Sequence, residues 1–415
     1  MTTTLIYQLI AMSRIKPTIG SERLEVIDAL RGFALFGILA ANLYSFIGYN
    51  TYQPEEIATL PFLDRMVLFF IDLFIEGKFY SIFSILFGVG FALQAERFNS
   101  ANENFTRFWF RRMSILLLIG LLHMYFVWNG DILTLYSLLG MLLPLFMKLS
   151  NRALLRWILI LLMIPLVLHV IVYLTPEASF WGSMGRLSAD LQNHWGYADR
   201  SLLEMRTSDV PLEVFHINIV VAIPRAMSYL MYGRYFHVLG LFLIGLLLAR
   251  QWLPKIRNKD ISIPSIAIWF GGIGFIAHIG YAMIKGTYGS PSAFSEMGLL
   301  MGFVYHVGAT FFALAISIFF VYIWATGHLQ SIFKNLAILG RMALTNYIFQ
   351  NLIAIFLFFG YGFALMREVP FSYLPLFAIG ILGAQWIFSR AWLSRFKQGP
   401  LEYIWRKLSY RNTKS

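Results

Sequence analysis

The chain has 415 residues, of which 58% are hydrophobic, 17% aromatic and only 13% charged, a composition outside the range of ordinary soluble domains. Cysteine is absent, which excludes disulfides, thiolate catalysis and Cys-ligated metal. The net charge of +12 fits cationic loops beside an anionic leaflet, so no nucleic-acid partner is expected.

Residues 1–22 lack the continuous apolar core and small-residue cleavage site of a signal peptide, so they read as a cytoplasmic tail ahead of a retained first span. Apolar runs able to cover about 30 Å of hydrocarbon then recur without β-barrel alternation. The pattern predicts an all-α integral membrane protein with ten spans, at 26–47, 77–96, 107–127, 130–147, 154–174, 235–251, 264–284, 298–324, 337–359 and 373–391. Between the first two, "IGYNTYQPEEIATLPFLDR" (47–65) is an extramembrane connection, and "MVLFFIDLFIEGK" after it reads as a short interfacial helix. A second long connection covers 175–234. Its part "NIVVAIPRAMSYLMYG", broken by Pro224 and Arg225, reads as a re-entrant or surface helix, because a further crossing there would reverse every later loop. Residues 23–394 form one polytopic domain, followed by a basic tail at 395–415. Most of the 33 lysines and arginines fall in loops on the N-terminal side of the bilayer, which predicts N-in and C-in.

Three polar clusters interrupt the apolar runs. In "GLLHMYFVWNGDILTLYSLLG" (120–140), His123 lies near the outer end of one span, Asn129 and Gly130 favour a tight turn, and Asp131 is placed to cap the next helix. Ionisable residues inside a bilayer usually line a cavity or bind something. His123 could take a proton from a hydroxyl or amine, with Asp131 fixing its tautomer, or it could simply pack. Trp128, between them, is a candidate substrate contact. "RLEVIDALRGFALFGILAAN" (23–42) sets Asp28 and Arg31 three apart, as an ion pair near the cytoplasmic interface, with Asn42 at the other end of the span. "LGRMALTNYIFQN" (339–351) carries Arg341, Thr345, Asn346, Gln350 and Asn351; such amides join helices or touch substrate, Asn346 and Gln350 being the candidates for the second role. His306 and His169 are further candidates for the role of His123, each read first as a structural histidine.

These stretches, together with "GKFYSIFSILFGVGFALQAER", the "GYG" at 360–362 and "GPLEYIWR" near the end, resemble in order the hallmark segments of the YeiB family of bacterial inner-membrane proteins over nearly the whole chain. That family is grouped with transmembrane acyltransferases, among them the lysosomal heparan-alpha-glucosaminide N-acetyltransferase and the O-acyltransferases of surface polysaccharides. The resemblance implies a helical bundle that takes an acyl group from cytoplasmic acyl-CoA and delivers it to an extracytoplasmic glycan, lipid or small-molecule acceptor. Arg31 and Gly32 match the first-helix motif. Where the polysaccharide enzymes place a histidine eleven residues later, this chain has Asn42, and residues 43–76 contain no histidine. On this reading Arg31, Arg111, Arg112 and Arg341 meet the CoA phosphates, His123 is the base, Asp131 orients it, and Asn42 donates to the developing oxyanion. No metal is expected, and a homodimer is left open. The alternatives are a transporter of a small amphiphile and a non-catalytic envelope or lipid-binding protein.

Overall fold

A computed structural model describes residues 24–100, 104–176, 179–263 and 265–410. The predicted tail at 1–22, with Arg14, Lys16 and the neighbouring Arg23, lies outside them. The described residues are helical, with no strand among them, as expected where backbone groups must be satisfied within lipid.

Helix α1 (Glu25–Phe46) runs up the middle of the bundle. Short α2 (Pro54–Ala58) and amphipathic α3 (Phe62–Phe74) follow. The α3 register puts Leu68, Ile71 and Asp72 inside and Phe62, Phe70 and Phe74 outside. Two antiparallel helices come next, α4 (Lys78–Ser100) and α5 (Phe105–Phe126). After them α6 (Leu133–Gly140) gives way to a 3-10 turn at Leu143–Phe146, where Pro144 ends regular hydrogen bonding. Helix α7 (Asn151–Leu174) leads to the second long connection, which holds α8 (Ser179–His194), α9 (Leu202–Arg206) and α10 (Pro211–Met231). Then come α11 (Arg234–Arg257) and the hairpin of α12 (Ser265–Tyr288) with α13 (Glu296–Ala325). The chain ends with α14 (Gln330–Arg341), α15 (Ala343–Phe358), α16 (Leu374–Leu393) and α17 (Pro400–Tyr410).

Helix occupies all ten predicted intervals. By length and hydropathy, seven helices among the described residues are able to cross a membrane, or eight if α14 and α15 count as one span bent by 79°. The predicted span at 337–359 is therefore two pieces: 337–341 belongs to α14, which lies across α1. The two meet through glycines. A Cβ on Gly32 would stand 2.0 Å from the Leu336 carbonyl oxygen, and one on Gly340 would stand 1.8 Å from that of Asp28.

Helix α10 is among the seven, although the sequence reading keeps it out of the count. Its Asn218 amide donates to the carbonyl of Tyr125 at the end of α5. Its far end turns at Gly233 (φ +66), which packs on Pro165 in the middle of α7. From there α11 continues until Arg250 donates to the Leu149 carbonyl at the foot of α7. Thus α10 ends against the middle of α7, and α11 runs on from there to its foot. The sequence also gives no hint of the buried ion pair of Asp72 and Lys285 (2.6 Å), which ties α3 to α12. Tyr44, Tyr49 and Tyr281 surround that ammonium at 4.7 to 5.5 Å.

Candidate functional site

A cavity of about 790 Å³ runs inward from the end of the bundle where α1 starts and α11 and α16 finish, a size suited to small-molecule ligands. Its α1 lining extends from Leu24 to Ile38, about 21 Å of helix rise. Six arginines, Arg31, Arg97, Arg112, Arg257, Arg341 and Arg406, line it against three carboxylates, Asp28, Glu96 and Glu402. Arg31 pairs with Asp28 at 2.9 Å and Arg257 with Glu96 at 3.2 Å. Beyond them the walls turn apolar, with Leu86, Phe87, Met113 and Leu116, and end at Ile132, Tyr136 and Tyr347.

The segment read as a basic tail is part of this mouth. Trp405 of α17 donates its indole N–H to the Arg112 carbonyl (2.9 Å), and the Arg112 guanidinium stacks 3.7 Å over the same ring. Glu402 accepts from the amides of Leu344 and Thr345 and from the Thr345 hydroxyl, so it caps α15 just after the bend. Burial pushes its carboxyl above the usual carboxylate range, while those donors hold it down.

The inner end is closed by Tyr347, whose hydroxyl accepts from the Ile132 amide (3.3 Å) and whose ring lies 5.2 Å from that of His123. Behind it four side chains from four parts of the chain form one hydrogen-bonded row. Asp131 accepts from His123 Nδ1 at 3.0 Å and, through its other oxygen, from the Thr134 amide at 2.6 Å. The Nδ1–H tautomer leaves Nε2 as acceptor, and it takes the Asn351 amide N–H at 3.0 Å. Asn42 in turn donates to Asn351 Oδ1 at 3.1 Å. His123, Asp131 and Asn351 are all at most 4% exposed.

The structure therefore brings His123 and Asp131 together and places Asn42 one amide away rather than beside the imidazole. Asp131 stands one residue before the cap position of α6, yet its carboxylate still serves the first turn. Arg31, Arg112 and Arg341 line the cavity and Arg111 does not, because it sits one step around α5 from the inward-facing Arg112. Trp128 is buried against Phe46 (4.6 Å), away from the cavity lining. Asn346 donates to the Leu339 carbonyl and Ser389 and accepts at its own carbonyl from Gln385, joining α14, α15 and α16. Gln350 is fully buried with neither amide atom hydrogen-bonded among the described residues. His169 holds the Pro165 carbonyl and His306 that of Tyr232. Sequence reasoning passed over Tyr347, Arg97, Arg257 and Trp405. Tyr347 lies one turn before Asn351 on the same helix face, and that spacing is the signal the sequence carries.

A helical bundle built of lipid-length helices around a buried polar row and a charged-mouth cavity defines a polytopic membrane protein. Residues 247–412 match the family described as "Protein of unknown function (DUF418)". The chain is similar to the uncharacterized protein YxaH of Bacillus subtilis (strain 168), at 29% identity over 96% of this chain and 97% of the relative. It is also similar to the uncharacterized protein YeiB of Escherichia coli (strain K12), at 27% over 94% and 97%, and to an uncharacterized 39.9 kDa protein of Bacillus acidopullulyticus, at 26% over 94% of each. Together these matches, near full length in the relatives, support a YeiB-family protein. No solved structure matches it. Among the described residues no group of three or more His, Cys, Asp or Glu side chains could hold a metal ion.

Proposed function

We propose that the protein is a transmembrane acyltransferase of the bacterial inner membrane, taking an acyl group from cytoplasmic acyl-CoA and passing it to a hydroxyl or amine on the other side. One observation carries this reading: a single cavity leads from six arginines to Tyr347 and Ile132, and the His123 row stands directly behind that wall. Guanidinium forks pair with phosphate oxygens bidentately, and the apolar middle suits the pantetheine and acyl chain. At the inner end the acceptor oxygen or nitrogen bonds to the thioester carbon while His123 Nε2 takes its proton. The carbon–sulfur bond breaks, and the leaving thiolate recovers that proton. Nε2 is free for this only once Asn351 releases it, so the arrangement described is a resting one.

The reading requires the arginine mouth to face the cytoplasm. Reporter fusions at Asn258 and at the C-terminus are expected to be cytoplasmic and one near Asn193 external. Opposite sidedness for Asn258 and the C-terminus would overturn this orientation.

The donor is tested directly by thermal unfolding in detergent. Acetyl-CoA or a longer acyl-CoA is expected to stabilise the native state, by about 2.7 kcal/mol at a hundredfold excess over Kd. Arg31→Ala and Arg341→Ala should lose most of that gain and Arg111→Ala should keep it. Silence with every acyl-CoA at millimolar concentration favours the other reading, a transporter of a small amphiphile. For that reading the discontinuous helices at Met342 and Gly233 speak.

A further inference from the structure

The second long connection brings three arginines to the far side of the His123 row. Arg206, only 3% exposed, donates to Asn129 Oδ1 at 2.8 Å, two residues before Asp131. Arg225 on α10 donates to the Tyr229 hydroxyl. Arg234, the first residue of α11, stacks 4.0 Å over Tyr80 and lies 5.2 Å from the Tyr229 ring, while Arg225 lies 5.1 Å from the same ring. Asn218, Arg225 and Tyr229 share one face of α10, and Asn218 is hydrogen-bonded to Tyr125, which turns that face toward the His123 hairpin.

Among the described residues, none of the three meets a carboxylate within ion-pair distance; Glu76 acts on Arg234 only through space. Burial, and then the like charge of Arg225, press the Arg206 guanidinium down to about 10, still charged at neutral pH. Helix α11 begins here with no side-chain cap, so its orphan amides add positive potential. Cations gathered in a low-dielectric setting without counter-charge are costly unless an anion joins them. Leu212 and Tyr232, at the two ends of α10, are exposed on the bundle surface, so apolar side chains flank this group.

We infer that Arg206, Arg225 and Arg234 hold the phosphate head group of an amphiphile drawn from the far leaflet, and so set the acceptor of the transfer proposed above. The inference names the acceptor class and rests on that reading for its role, but the binding itself can be tested apart from it. In a glycosidic detergent free of phosphate, the full chain is titrated with dioctanoyl phosphatidic acid, with dioctanoylglycerol and with inorganic phosphate, following the unfolding temperature. A saturating rise with the phosphatidic acid and none with the diacylglycerol is expected. Arg225→Gln and Arg234→Gln should each weaken it about tenfold or more, as loss of a charge-assisted hydrogen bond does. Arg225→Lys, which keeps the charge, should retain part of it and guards against a folding failure in the glutamine variants. Arg31→Ala, which removes the acyl-CoA response, should leave it intact, and a head-group response without any acyl-CoA response would sustain this site while sinking the transferase. Equal responses to the phosphatidic acid and the diacylglycerol, or a response undiminished in the glutamine variants, would overturn it. Saturation by inorganic phosphate at the same concentration would replace the amphiphile with a soluble oxyanion.

Discussion

His123→Ala is expected to lower acyl transfer by about 10² to 10⁴ at unchanged folded yield, the cost of removing a positioned base. The structure sharpens the companion variant. Asp131 accepts two N–H donors on its two oxygens, from His123 and from Thr134. In Asp131→Asn one of those oxygens becomes an NH₂ facing a donor, so either the cap of α6 or the tautomer of His123 is lost. A silent Asp131→Asn, which a merely capping aspartate allows, is therefore not expected. The measurement is thiol release from acyl-CoA per folded molecule, with envelope glycans and lipids supplied as acceptors. Full specific activity in His123→Ala would end the catalytic reading.

The largest effect on stability is expected from one added methyl group, in Gly340→Ala. Its Cβ would fall 1.8 Å from the Asp28 carbonyl oxygen, and the reciprocal Gly32→Ala would fall 2.0 Å from that of Leu336. Both obstacles are helix backbone, which has no rotamer to change, so α1 and α14 must separate. Overpacking of a close contact costs about 1–3 kcal/mol. Here it also displaces Arg31 and Arg341, so the acyl-CoA response should fall with the unfolding temperature. Gly380→Ala in α16, where a Cβ meets nothing within 4 Å, is the control and should be neutral. If the two variants melt alike, the close crossing is not what holds the mouth.

Where the long apolar helices lie was legible in the sequence because hydropathy and loop charge act locally. The interval at 154–174 is α7 almost to the residue, and 298–324 is α13. What hydropathy cannot report is direction. The run through Met342 is continuous in apolar character, yet the chain turns 79° there, and the cap that makes the turn tolerable comes from Glu402 of α17, 58 positions after the Leu344 amide it accepts from. The same limit governs the site. His123 and Asp131 could be paired on paper because a tight turn joins them. Asn42 and Asn351 meet across 309 positions, and no local spacing announces that. Arginines 111 and 112 were equivalent as sequence; helix rotation alone decides which faces the cavity.

The row from Asn42 to Asp131 also has a polarity. As it stands, each amide gives its N–H toward the imidazole side or receives from the α1 side: Asn42 to Asn351, Asn351 to His123. An imidazolium has no acceptor nitrogen, so Nε2–H would oblige Asn351 to turn over and present oxygen, and its NH₂ would then oblige Asn42 to present oxygen too. Two side-chain flips thus copy the protonation of one ring onto the end of α1, without any helix moving. A fixed acceptor at either relay point, as in Asn351→Asp, would lock the message in one sense and uncouple the two faces of the bundle from the proton between them.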